Sequence, residues 1–129
     1  MPYKNLGYVG ADFKDYFVFV NSFGSGNPNY IELIKKSNGK NILKSGSAWI
    51  DVERKQDYLL YCENDVPNEK DKMILYNIKT GQKQFFEFPN EIFNEPEILN
   101  RIQISKLTEK ELIIKYDTED GSKLKKYSR

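Results

Sequence analysis

Two short apolar runs near the middle of the chain, Tyr58-Leu59-Leu60-Tyr61-Cys62 and Met73-Ile74-Leu75-Tyr76, constrain its fold more than any other feature. Each is apolar at consecutive positions, whereas a strand with one wet face would alternate. Strands covered on both faces carry this pattern. A charged loop separates the two runs, and a Thr80-Gly81 turn leads into Phe85-Phe86-Glu87-Phe88. The stretch from Asp57 to Pro89 is therefore predicted to be a three-strand meander. Its first two strands should be central in a sheet, with the other strands arranged around them.

The flanking sequence supplies those strands. Leu6 to Phe13, interrupted by Gly7 and Gly10, reads as an edge strand, and Tyr16-Phe17-Val18-Phe19-Val20 reads as a buried one. The loop Asn21 to Asn29 is built from residues that accept positive φ or preset a turn. It lacks the third glycine and the following helix of a dinucleotide cradle. Tyr30 to Ile34 and Asn41 to Leu43 flank Asn38-Gly39, which predicts a hairpin with a type I′ turn. Its tip carries Lys35, Lys36, Lys40 and Lys44, which a solvated turn accounts for. Along Ala48 to Val52 the alternation places Ala48, Ile50 and Val52 on one face and Trp49, Asp51 and Glu53 on the other. Asn90 to Arg101 is the one credible helical turn, expected as one short helix or 3₁₀ segment. Asn94 is the expected cap, Pro96 falls in the first turn, and Glu91, Glu95 and Glu97 form an acidic face. Three further strands follow, Ile102 to Ser105, Leu112 to Tyr116 and Lys123 to Tyr127, the last polar and suited to an edge.

The fold class predicted is all-β with at most one short helix, in a single antiparallel domain over residues 1–129. A chain of 129 residues, with 9 Tyr and 8 Phe, suits one core built from strands. The strongly apolar strands begin near Tyr16, Tyr58 and Leu112. The first two starts lie 42 residues apart and the last two 54 apart, the excess being the Asn90 to Arg101 insertion. Three units of strands at this period resemble the blades of β-propellers, without a Trp-Asp dipeptide or a kelch glycine pair. The resemblance implies antiparallel meanders in three blade-like units, a partial propeller-like stack. A small barrel and a two-sheet sandwich are the alternatives.

Composition removes several kinds of chemistry. There is no His, hence no Ser/His/Asp or Cys/His nucleophile and no imidazole ligand for a metal. The lone Cys62 excludes an internal disulfide framework and suits a buried small side chain. A formal charge of +1 offers no general field for nucleic acid or an anionic membrane. The acidic turn Asp117 to Gly121 departs from a calcium loop, because Gly121 comes one position early and Ser128 replaces the closing Glu. Carboxylates in the Asp51 to Asp71 region alternate with Lys and Arg as in a solvated loop. We therefore expect no catalytic residues, no metal and no cofactor.

The N-terminal sequence has no apolar segment of the export type, and no run approaches the ~20 residues of a membrane span, so a cytoplasmic location is expected. The functional expectation is a non-catalytic protein-binding module. Its concrete form would be a small inhibitor or immunity-type protein that neutralises a partner protein. The alternative is an aromatic-lined domain that binds a sugar or peptide. The partner-binding residues expected are Trp49, Tyr30 and Phe23, with the acidic Glu91, Glu95 and Glu97. A Trp on a polar strand face is a usual anchor in interfaces.

Overall fold

The computed structural model describes residues 6–22 and 29–129. Ten antiparallel strands lie within them: β1 (Leu6–Asp12), β2 (Tyr16–Ser22), β3 (Tyr30–Lys35), β4 (Ala48–Glu53), β5 (Tyr58–Cys62), β6 (Lys72–Asn77), β7 (Lys83–Glu87), β8 (Ile102–Leu107), β9 (Glu111–Thr118) and β10 (Gly121–Ser128). Strands β1 to β7 form one sheet in chain order, with β1 and β7 as its edges. A second sheet holds β10, β9 and β8, in that order. Neither sheet closes into a barrel.

The long sheet is pinched where β3 meets β4, which share the single register pair Tyr30 and Ala48. This divides the fold into three units: β1–β3, β4–β7 and β8–β10. In the first unit the expected strand at Asn41 to Leu43 shrinks to one bridge between Ile34 and Asn41. The first strand of every unit carries an irregularity in register, between Val9 and Ala11, Trp49 and Asp51, and Ile104 and Lys106. Such bulges add local twist and re-aim the side chains beyond them.

Two cores explain the consecutive apolar runs. Leu60, Cys62, Met73 and Leu75 face Leu112, Ile114 and Tyr116 of the third unit. Their chain neighbours Leu59, Tyr61, Ile74 and Tyr76 face Val18, Val20, Ile31 and Leu33 of the first. The middle unit is therefore an inner layer, and both faces of β5 and β6 are dry, as the sequence pattern requires.

Three local expectations are corrected. Val52 does not share a face with Ala48 and Ile50, because the bulge at Ile50 turns it into the core of the first unit. The Asn38-Gly39 turn is not type I′, since only Gly39 has positive φ (70°). Both Asn38 and Gly39 donate backbone N–H groups to Lys35 O. The turn after β6 repeats this 42 residues later, with Gly81 at φ 78° donating to Asn77 O. The helical insertion splits into two 3₁₀ turns, Asn90–Asn94 and Ile98–Arg101, so Asn94 ends a turn instead of capping one.

Candidate functional site

The first unit has one face that neither core covers. Antiparallel register aligns Val9, Phe19 and Glu32 in one row across its three strands, and Asp12, Phe17 and Ile34 in the next. A further row holds Gly7, Asn21 and Tyr30. Val9 is 55% exposed, and Phe17, Phe19 and Ile34 are half-buried. None of these four belongs to either core or packs on one. The Phe19 ring lies across Gly7, where an added Cβ would come within 2.2 Å of it. A side chain at position 7 would push that ring off the face. The strand predicted as buried is thus buried on one side only, through Val18 and Val20.

Charges edge this apolar patch. Lys36 Nζ lies 2.7 Å from Asp12 Oδ1 and also donates to Phe13 O. Tyr30 stands at the corner beside β4, and its hydroxyl donates to Asp65 Oδ2. That bond to a carboxylate holds the Tyr30 phenol above its ordinary pKa.

The other predicted residues are placed elsewhere. Trp49 is half-buried and packs on the core between the first and middle units. Its ring lies 3.4 Å from where a Cβ on Gly10 would sit. Phe23 lies outside the described residues. Glu91 accepts from the Tyr116 hydroxyl and, at 3.0 Å, from Lys123 Nζ. These two bonds, Tyr116 first, hold the Glu91 carboxyl below the usual glutamate range. Burial, aided by Glu91, raises Tyr116 to about 12. Glu95 accepts from the backbone N–H of Glu119 at 3.1 Å and lies 3.7 Å from Arg101. Glu97 is exposed at φ 53°. The three glutamates therefore do not act as one acidic face: two are engaged within the fold.

Asp51 has a role that its strand pattern did not reveal. One carboxylate oxygen accepts from Val52 N at 2.9 Å and the other from Ile104 N at 2.7 Å. The bulges in β4 and β8 turn these groups toward one another, so a single side chain joins the first strands of two units. Arg54 makes a comparable link to the first unit, donating to Gly10 O at 2.6 Å. In the loop after β5, Asp71 accepts from Asn64 and from the N–H of Asn68. Cys62 is buried, and desolvation pushes its thiol up to about 11, which leaves it inert at neutral pH.

Among the described residues no three His, Cys, Asp or Glu side chains converge to hold a metal ion, and no helix is long and apolar enough to cross a membrane. A groove of about 440 Å³ runs between β7 and β10 and opens to solvent, with Phe86, Glu87, Lys125 and Tyr127 in its lining. No family model, curated protein or solved structure matches the chain.

Proposed function

We propose that this chain is a non-catalytic protein-binding module that works through the open face of its first unit. The observation that carries this reading is the patch of Val9, Phe17, Phe19 and Ile34, contiguous on one sheet face and packed on neither core. Contiguous exposed apolar surface bordered by charge is a usual mark of a docking site. The engagement of Asp51, Asp71, Glu91 and Glu95 in bonds that brace the fold favours binding over catalysis. Small inhibitors and immunity-type proteins, which neutralise a partner by covering it, are the concrete class proposed, acting in the cytoplasm. Trp49, held between two units, gives the sugar-binding alternative little support.

The test compares wild-type protein with Val9→Lys as baits in lysate of the native cell. The expected result is a stoichiometric protein held by the wild type and released by the variant, which still unfolds in one cooperative transition. A partner held equally by both baits would overturn the assignment of this face.

A further inference from the structure

The stack has two outer faces, and their chemistry is complementary. On the third unit, register places Lys106, Ile113 and Lys126 in one row and Gln103, Lys115 and Leu124 in the next. Leu124 is 65% exposed, and both Lys106 and Lys115 are exposed. An apolar ridge of Ile113 and Leu124 therefore lies among lysines. The first unit's outer face presents Phe17, Phe19, Val9 and Ile34 with the carboxylate of Glu32 and with Asp12, which Lys36 already pairs. Glu32 has no ion-pair partner among the described residues, and neither do Lys106 and Lys115.

The internal repeat indicates what covers such a face. Moving 42 residues along the chain takes Phe17, Phe19 and Ile34 to Leu59, Tyr61 and Tyr76. In the middle unit that face is buried against the neighbouring sheet layer, through Val18, Val20, Ile31 and Leu33. The run Tyr16 to Val20 carries the consecutive apolar pattern of a strand dry on both sides, yet among the described residues it has a layer on one side only. We propose that the missing layer is the third unit of a second copy of this chain. Two copies associate head to tail, each laying its first unit on the other's third, and six units close a ring.

This inference rests on the reading of the open face as a protein-binding surface and names its first partner. A head-to-tail contact uses two different patches and forms a ring when its rotation closes. Three units fall short of the four to eight blades of closed propellers, whereas six fall within that range. A two-fold pairing of first units alone would bring Glu32, which has no ion-pair partner among the described residues, into the same interface from both copies. Head-to-tail pairing instead sets it against Lys106 and Lys115. The assembled ring is then what meets any further partner protein.

The test is solution mass by light scattering, on the wild type, Val9→Lys and Lys115→Glu. Both substituted positions are exposed, and a single cooperative melting transition in each variant checks that it is folded. The expected masses are two chains for the wild type and one for each variant. An equimolar mixture of the two variants should recover a two-chain particle, because Lys115→Glu keeps an intact first face and Val9→Lys an intact third face. A Lys115→Glu variant that remains a dimer would overturn head-to-tail pairing. A monomeric wild type at its highest soluble concentration would overturn self-association. If Val9→Lys then still loses a captured protein, the broader reading stands while this inference fails; if it loses nothing, both fail.

Discussion

The first and middle units share a period, a turn geometry and a pair of apolar strands, but they differ in how many of their faces are covered. Leu59 and Tyr61 are fully buried, while Phe17 and Phe19, their counterparts 42 residues earlier, are half-exposed. Ile74 is likewise buried, whereas Glu32 stands at the matching position of the first unit. Equivalent strand positions therefore owe their burial to the layer stacked on them. Among the described residues the middle unit finds a layer on each side, and the first unit finds one.

The largest expected effect comes from cutting into this difference directly. Leu59→Ala removes a fully buried side chain between two sheet layers and should cost about 2–5 kcal/mol. Phe17→Ala, measured at dilution where the chain stands alone, should cost less than half as much despite deleting more atoms. Urea unfolding of both variants provides the comparison. Equal losses would mean that the first unit's outer face is as well packed as the middle unit.

The link between the middle and third units comes next. Asp51→Ala leaves the N–H groups of Val52 and Ile104 without their acceptor, and a buried donor left unpaired costs about 1–3 kcal/mol. Faster hydrogen exchange at Ile104 than in β2 would place the damage at the third unit. A uniform change across the molecule would contradict that role. A smaller effect, of opposite sign, is expected at Tyr61. Its hydroxyl is buried with no hydrogen-bond partner among the described residues, while the matching residue in the first unit is Phe19. Tyr61→Phe should therefore be neutral or stabilise the fold by up to about 1 kcal/mol. A clear loss of stability would show that the hydroxyl is satisfied in solution.

The sequence made the meander and the three-unit period legible because both depend on short-range patterns. Consecutive apolar residues in β5 and β6 report two dry faces, and the glycines at 39 and 81 report left-handed turn positions. The bulges were not legible, since a bulge changes register without changing residue type. That is why alternation puts Val52 on the wrong face and gives no sign that Asp51, on the polar face of its strand, reaches Ile104 N. Trp49 reads as exposed from alternation alone, because the strand that covers it lies some 40 residues earlier in the chain. The open face was hidden for the converse reason: Phe17 and Phe19 carry the pattern of a fully covered strand, and nothing in local sequence states which layer covers it. Among the described residues, Tyr30 is the one predicted binding residue that the fold brings to this face.

The smallest expected effect concerns how the units respond to acid. The first unit meets the middle one chiefly through a core of aliphatic and aromatic side chains, with the Arg54 bond to Gly10 O and the Tyr30 bond to Asp65 at its edges, whereas Glu91 fastens the 3₁₀ turn Asn90–Asn94 to β9 and β10 through Tyr116 and Lys123. Its folded pKa is depressed, with the bond from Tyr116 as the larger cause and that from Lys123 as the second. The stabilisation from Glu91 is therefore fully present above the ordinary glutamate pKa of about 4.3 and fades as pH falls through the lower folded value. Glu91→Gln lacks this titration, so the gap in urea midpoint between it and the wild type should be open at neutral pH and close in acid. Exchange protection should fall first in β10 and last in β2. A gap that persists unchanged below the folded pKa would mean that Glu91 acts by shape alone. The two ends of the stack would then differ in packing but not in charge.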